Sequence, residues 1–165
     1  SSNKYEKNNE GYLKKLFDIL RAYSADPMTD SLKLWDICVF NYLIGNTDNH
    51  IKNLSLLYGE DLKTVRLAPA YDIVSTIIYK SSTEDMALRI NGVCNINEIT
   101  RASFEKAASQ VGIGPKMAMK RFDAMVNGFE TAINQAKEKL KSQGFDQVEQ
   151  ICEMIMEKGG IKKVL

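Results

Sequence analysis

The chain has 165 residues, of which 44% are hydrophobic and 26% are charged, and its formal net charge is +1. These values are typical of one globular domain over residues 1–165, with enough apolar residues to bury a core. No block of like charge stands out, so direct binding of nucleic acid by this chain is not expected. The most apolar run, 34–44, contains Asp36 and Asn41 and is too short to span a membrane.

The three cysteines, Cys38, Cys94 and Cys152, lie far apart and form no Cys-x-x-Cys pair. This spacing argues against a structural zinc site and favours a reducing compartment. No signal peptide is recognisable at the start of the sequence. These features predict a cytoplasmic protein without membrane association.

The first part of the chain is predicted to be helical. Apolar residues at helical spacing predict a first helix over about 10–23. Pro27 then breaks the pattern, and Thr29 or Asp30 is predicted to cap a second helix. Gly45 is well placed to end that helix.

A β-hairpin is predicted after the polar octet 46–53, which reads Asn-Thr-Asp-Asn-His-Ile-Lys-Asn. Residues 54–58 and 63–67 are short, apolar-rich and β-prone, and they flank the turn-like segment Gly-Glu-Asp-Leu. Antiparallel pairing would bring facing Cα atoms to about 5 Å at the open end of the hairpin. Asn53 precedes the hairpin and Asp72 follows it, so we expect their side chains to lie together beside the polar octet.

The rest of the chain is predicted to be mainly helical. A strand over 86–90 precedes an Asn-Gly turn at 91–92. Thr100 is predicted to cap a helix that Gly112 ends, and Pro115 to open a long helix. The predicted inward face of that long helix comprises Phe122, Met125, Val126, Phe129, Ile133, Ala136 and Leu140. A last helix is predicted to carry Phe145, Val148, Ile151, Cys152 and Ile155. The fold class is therefore expected to be mainly α with a small β-hairpin insertion.

Asn53 and Asp72 are the candidate metal ligands. An amide oxygen and a carboxylate suit Mg²⁺, which binds one or two carboxylates together with phosphate oxygens and water. Asp48 is the candidate catalytic base, because a loop carboxylate beside a metal can orient a hydroxyl and accept its proton. The alternative for Asp48 is a turn-forming aspartate that accepts hydrogen bonds from nearby main-chain amides.

Other polar residues have less specific interpretations. His50 has no second His or Cys nearby, so hydrogen bonding to main-chain carbonyls explains it at least as well as ligand contact. Lys52 either balances phosphate charge or is a solvated lysine. Tyr71 is expected to shape the turn after the hairpin. A calcium loop is excluded, because Ile51 replaces the required glycine and Leu57 the required bidentate glutamate.

Three segments of the sequence resemble the C-terminal lobe of HipA-type toxin kinases. They are 43–53 (Leu-Ile-Gly-Asn-Thr-Asp-Asn-His-Ile-Lys-Asn), 67–75 (Leu-Ala-Pro-Ala-Tyr-Asp-Ile-Val-Ser) and 86–92 (Met-Ala-Leu-Arg-Ile-Asn-Gly). Their order and spacing agree with the family, and the likeness is clearest over 34–92. The resemblance implies a serine/threonine protein kinase with a two-lobed, eukaryotic-kinase-like fold. It also implies a toxin of a toxin–antitoxin system, with a HipB-like DNA-binding antitoxin as partner and a protein as substrate.

The resemblance implies roles for individual residues. By position, Asp48 is the catalytic base, and Asn53 and Asp72 are the Mg²⁺ ligands. With the phosphate candidate Lys52 included, the expected ATP contacts are Asp48, Asn49, His50, Lys52, Tyr71 and Asp72. The order Asp-x-His-x-Lys-Asn differs from the His-Arg-Asp arrangement of ordinary protein kinases but keeps the five-residue step from Asp to Asn.

The sequence also departs from a complete kinase. No glycine-rich phosphate loop, strand lysine or adenine-binding hinge is recognisable before Asp48. The chain is therefore expected to be a catalytic lobe without its N-terminal lobe, and by itself to bind nucleotide weakly and to be largely inactive. Two alternatives stay open: a non-catalytic helical module that binds an antitoxin-type partner, and a small-molecule or lipid kinase with the same active-site order.

Overall fold

The computed structural model describes Glu6 and residues 11–165, which form mainly helices with two small antiparallel strand pairs. The helices are α1 (Tyr12–Tyr23), α2 (Pro27–Ile44), α3 (Arg101–Gln110), α4 (Pro115–Ser142) and α5 (Val148–Lys158). The strands are β1 (Leu56–Tyr58), β2 (Val65–Leu67), β3 (Asp85–Ile90) and β4 (Val93–Asn95), and 3₁₀ turns cover Ile51–Asn53 and Gly160–Lys163. The predicted fold class is confirmed. No helix in these ranges is both long and apolar enough to cross a lipid bilayer.

Helix α2 runs through the centre of the core, packed on several sides. Its Trp35 and Tyr42 side chains are fully buried. Phe104 of α3 packs against both, with ring centroids 5.7 Å from Trp35 and 5.1 Å from Tyr42, and it also lies 4.8 Å from Phe122 of α4. Such aromatic pairs contribute about 0.5–1.5 kcal/mol each beyond the area they bury. The buried phenol of Tyr42 donates a hydrogen bond to the carbonyl of Ile99 at 2.8 Å, so burial leaves this polar group satisfied.

The first strand pair is the predicted hairpin. Strands β1 and β2 are antiparallel, with Leu56 opposite Leu67, which confirms the fold-back although each strand is three residues long. The predicted strand over 86–90 is also confirmed as β3. Its partner β4 was not predicted, because three residues are too few for an alternating pattern to be recognised.

The predicted start of α2 is wrong. Asp26 is the N-cap residue, and its carboxylate accepts a hydrogen bond from the Thr29 amide at 3.1 Å. Pro27 begins the helix instead of interrupting it, since the first helical residue does not need its N–H. Asp30 lies inside the helix with a fully buried side chain. The end at Gly45 is confirmed, while the predicted start of α1 at residue 10 lies outside the described residues.

The inward face predicted for α4 is only partly correct. Phe122, Val126 and Phe129 are buried, but Ala136 and Leu140 near the helix C-terminus are exposed. In the second half of α4 the apolar side chains are covered only in part: Ile133 is half-buried and packs against the core, and α5 contacts the helix. The last predicted helix is confirmed as α5, with Val148 and Cys152 buried, but Phe145 precedes the helix and is 60% exposed.

Candidate active site

The polar octet begins where α2 stops, and the stop depends on Gly45. Gly45 has φ +72°, the left-handed conformation that ends helices and that other residues adopt at a cost. A Cβ at this position would also overlap the side chain of Ile77. The Gly45 carbonyl accepts hydrogen bonds from the amides of Thr76 and Ile77 at 3.1 and 3.0 Å. The end of α2 therefore holds the chain segment that follows Asp72.

A second set of contacts joins the same two segments. The Thr47 amide donates to the Thr76 hydroxyl oxygen at 2.8 Å, and the two threonine hydroxyls lie 2.9 Å apart. The Ala87 amide of β3 donates to the Thr47 carbonyl at 2.9 Å. The octet is thus fixed between α2, β3 and the segment after Asp72, which suits a site that needs a rigid loop.

Asn53 and Asp72 meet as the hairpin predicted. The Asn53 side-chain Nδ2 donates to Asp72 Oδ2 at 2.8 Å and also approaches the main-chain carbonyl of Asp48 at 3.4 Å. Asn53 is buried and ends the short 3₁₀ turn, where its amide donates to the His50 carbonyl at 2.9 Å. A carboxylate can only accept hydrogen bonds, so the side-chain nitrogen of Asn53 faces Asp72. The side-chain oxygen Oδ1 of Asn53 is then the atom left to bind a cation.

The backbone of Asp72 is in an unusual conformation. Its φ of +56° lies in the left-handed region, which a residue with a side chain occupies at a cost of order 1–3 kcal/mol. Such residues concentrate at functional sites, where the surrounding structure holds them in place. The Asp72 side chain is exposed, so an incoming ligand can reach it.

The remaining predicted residues surround this pair to different degrees. The Tyr71 hydroxyl donates to the Lys52 carbonyl at 2.8 Å and lies 3.2 Å from the Ser55 hydroxyl, so Tyr71 ties the two sides of the hairpin together. Lys52 itself is exposed. Asn49 and His50 are buried, while Asp48 is half-buried at the surface of the octet. All the predicted site residues lie on the octet or on the Tyr71–Asp72 step beside it, and their individual roles stay predictions.

The hairpin is anchored to the start of α2 by a buried carboxylate that the sequence did not indicate. Arg66 of β2 binds Asp30 through two hydrogen bonds of 3.0 Å each, and the Leu67 amide donates to the same carboxylate at 2.8 Å. The Ser24 hydroxyl adds a fourth hydrogen bond at 2.6 Å. Burial favours the neutral acid, but these donors outweigh it and lower the pKa of Asp30 from its ordinary 3.8 to about 2.

The donor set fits a magnesium ion. Asn53 Oδ1 and the Asp72 carboxylate are hard oxygen donors of the type Mg²⁺ binds together with phosphate oxygens. Within the described residues, no group of three or more His, Cys, Asp or Glu side chains could hold a metal by itself. A site with one carboxylate and one amide leaves the remaining Mg²⁺ coordination positions to water or to ligand oxygens.

An apolar cleft opens beside the octet. It has a volume of about 310 Å³ and lies between α1, α2 and the start of the hairpin. Its apolar walls include Ile51 and Leu54, which lie two positions before and one position after Asn53 in the chain. The side chains of Asp48, Asn53 and Asp72 do not line this cleft.

Comparison with known proteins agrees with this geometry. The family model described as the HipA-like C-terminal domain matches residues 1–133. The chain belongs to the HipA-like C-terminal domain family. Two proteins of Sinorhizobium fredii (strain NBRC 101917 / NGR234) are similar to it. "Putative kinase Y4mE" is 34% identical over 130 residues, which is 79% of this chain and 30% of the relative. "Putative kinase Y4dM" is 29% identical over 137 residues, which is 83% of this chain and 32% of the relative.

The HipA-like fold of this lobe is also seen in a solved structure. The "Shewanella oneidensis MR-1 Toxin Antitoxin System HipA, HipB and its operator DNA complex" contains a chain that superposes with a TM-score of 0.81. The match is 19% identical in sequence and covers 99% of this chain and 40% of that one. This chain therefore spans about a third of the length of the curated relatives it matches, and less than half of the solved HipA-system chain.

Two groups of residues that shape the site were not identified from the sequence. Asp30 was assigned to a helix cap, and its partner Arg66 lies 36 positions away, so no local pattern connects them. Asn41 and Asn46 form a buried contact at 2.7 Å, and Asn46 reaches the Asp72 carbonyl. A signal for Asn41 did exist: a polar side chain inside the most apolar run of the chain must find a buried hydrogen-bond partner.

Proposed function

We propose that this chain is the C-terminal catalytic lobe of a HipA-like serine/threonine protein kinase that transfers the γ-phosphoryl group of ATP to a protein hydroxyl. The observation that carries the proposal is the 2.8 Å contact between Asn53 and Asp72 beside the octet that contains Asp48. Kinases use a loop aspartate, an asparagine five residues later and a distant aspartate for this chemistry. Membership of the HipA-like family and the kinase names of two relatives support the same assignment.

In this proposal each residue has a defined task. Asp48 accepts the proton of the attacking hydroxyl while that oxygen bonds to the γ-phosphorus and ADP leaves. Asn53 and Asp72 hold Mg²⁺, which when bound neutralises charge on the phosphate oxygens. Asn49, His50, Lys52 and Tyr71 contact ATP, and Lys52 serves as the cation of that set.

We also propose that the kinase acts as the toxin of a toxin–antitoxin pair in the cytoplasm. The support is the solved HipA-system structure, whose chains are described as HipA and HipB with operator DNA. A HipB-like DNA-binding protein is accordingly the expected partner. Nothing in the site selects a particular protein substrate, so the acceptor is defined only as a hydroxyl on a protein.

The test is phosphoryl transfer by the purified product of the complete open reading frame. Labelled ATP and Mg²⁺ are supplied with bacterial protein extract or with small-molecule acceptors, and labelled hydroxyl amino acids are then identified. Asp48→Asn should lower transfer by about 10²–10⁴-fold, because it removes the proton acceptor. Asp61→Asn is the matched control, since Asp61 is another loop aspartate but lies exposed in the hairpin turn.

The outcomes separate the candidate functions. Label on serine or threonine of a protein, lost in Asp48→Asn and kept in Asp61→Asn, agrees with the proposal. Full transfer by Asp48→Asn would contradict the assignment of the base. Label confined to small acceptors would identify a small-molecule kinase with the same active-site order.

A further inference from the structure

A line of buried amides connects the interior of α2 to Asp72. Asn41 Nδ2 donates to the Ile37 carbonyl one helical turn earlier at 2.8 Å. Asn46 Nδ2 donates to Asn41 Oδ1 at 2.7 Å and to the main-chain carbonyl of Asp72 at 3.0 Å. Asn41 and Asn46 are 0% and 2% exposed, so water does not compete for these contacts.

The direction of each amide in this line is fixed by its neighbours. The Ile37 carbonyl can only accept, so the nitrogen of Asn41 faces it and the oxygen of Asn41 faces Asn46. Asn46 must then present its nitrogen, because the opposite orientation would place its oxygen against the oxygens of Asn41 and Asp72. Both N–H bonds of the Asn46 amide are used, one toward the helix and one toward Asp72. A buried amide with two matched acceptors has one low-energy orientation.

The line of amides ends at the main-chain carbonyl of Asp72, the residue with the strained backbone. The Asp72 carbonyl belongs to a residue at φ +56°, and the contact from Asn46 spans 26 positions of sequence. This side-chain contact is separate from the end of α2, where the main-chain amide of Asn46 donates to the main-chain carbonyl of Asn41 at 2.8 Å. The side-chain nitrogen of Asn46 therefore links the interior of α2 directly to the backbone of Asp72.

We infer that Asn46 is a positioning residue for the metal ligand Asp72, and that Asn41 orients Asn46 from inside α2. By holding the Asp72 carbonyl, Asn46 fixes the left-handed backbone that turns the Asp72 carboxylate toward Asn53. Neither asparagine touches the ion or the substrate. The inference rests on the proposed function, because it concerns how the proposed Mg²⁺ ligand is held. Residues that orient a metal ligand in this way typically change metal affinity by roughly 10–100-fold when replaced.

The experiment measures Mn²⁺ affinity by water-proton relaxation, in the presence of ATP, for the product of the complete open reading frame. Asn46→Ala should weaken Mn²⁺ binding by roughly 10-fold or more and raise the half-saturating Mg²⁺ concentration of phosphoryl transfer by a similar factor. Tyr42→Phe is the matched control, because it removes one buried hydrogen bond from the next position of α2, to Ile99. Its stability should fall while its metal affinity stays within about twofold, since Ile99 is not part of the site.

A measurement on the unsubstituted protein covers the case in which Asn46→Ala does not fold. The carboxamide signals of Asn46 in a ¹⁵N spectrum should be protected from hydrogen exchange and should shift when Mg²⁺ is added to the ATP-bound protein. Unchanged Mn²⁺ affinity in a folded Asn46→Ala protein would overturn the inference. So would Asn46 carboxamide signals that do not shift when Mg²⁺ is added. Failure of the unsubstituted protein to bind Mn²⁺ with ATP would instead refute the proposed function, and the inference with it.

Discussion

Replacing Asp30 by Asn tests whether a buried ion pair anchors the hairpin that carries the site. Asp30 is fully buried and accepts hydrogen bonds from Arg66, from the Ser24 hydroxyl and from the Leu67 amide. Each pKa unit is worth about 1.4 kcal/mol, so lowering the pKa of Asp30 from 3.8 to about 2 stabilises the fold by about 2 kcal/mol. The side-chain N–H groups of an asparagine at this position would also have to replace an oxygen that accepts from Arg66 or from the Leu67 amide, and neither of these can accept a hydrogen bond. The free energy of unfolding should fall by about 3–5 kcal/mol, as when one partner of a buried pair is removed.

The matched control is Asp123→Asn. Asp123 binds Arg101 in the same two-bond geometry, with distances of 2.9 and 2.8 Å, but both side chains are about half exposed (44% and 51%). Exposed pairs contribute under about 1 kcal/mol, so this variant should unfold at nearly the urea concentration of the original chain. Equal, small losses in both variants would refute the reasoning, because burial would then make no difference to the anchor.

Three further outcomes are expected, one for pH and two for glycine substitutions. Because the pKa of Asp30 is lowered in the fold, its contribution to stability is complete above about pH 4 and is lost as the pH falls toward about 2. The difference in unfolding free energy between the original chain and Asp30→Asn should therefore shrink over that range. A constant difference would contradict the assignment. Gly45→Ala should destabilise the chain by at least about 2 kcal/mol through its positive φ and the overlap with Ile77. Gly128→Ala, in α4 with open space around it, should instead stabilise the chain by up to about 1 kcal/mol. Thermal unfolding of the two variants and the original chain measures both changes.

The parts of the fold that the sequence predicted correctly are those with a local physical cause. Gly45 ends α2 because only glycine adopts that backbone conformation cheaply, and the hairpin follows from two β-prone runs around a turn. The meeting of Asn53 and Asp72 needed no further information, since a hairpin returns the chain to its starting point. Local signals therefore located the candidate site.

The errors have the opposite origin, in contacts between distant residues. Asp30 is a residue type that often caps helices, but its hydrogen bonds to Arg66 and to the Leu67 amide, from a distant strand, explain why it is buried instead. Helical spacing assigned Leu140 to an inward face, but spacing does not say whether another layer exists to cover that face. The contact of Asn46 to the Asp72 carbonyl depends on how two segments dock, so no local pattern predicts it.

Helix α2 sets the spacing of the whole candidate site, because Asp30 near its first turn secures β2, and Gly45 at its C-terminal end secures the segment after Asp72. One inserted or deleted residue between these two anchors would advance the helix by about 1.5 Å and rotate it by about 100°. The hairpin and the octet would then point in different directions. A longer turn between β1 and β2 would disturb neither anchor, so changes in chain length are tolerable at the tip of the hairpin and not within α2.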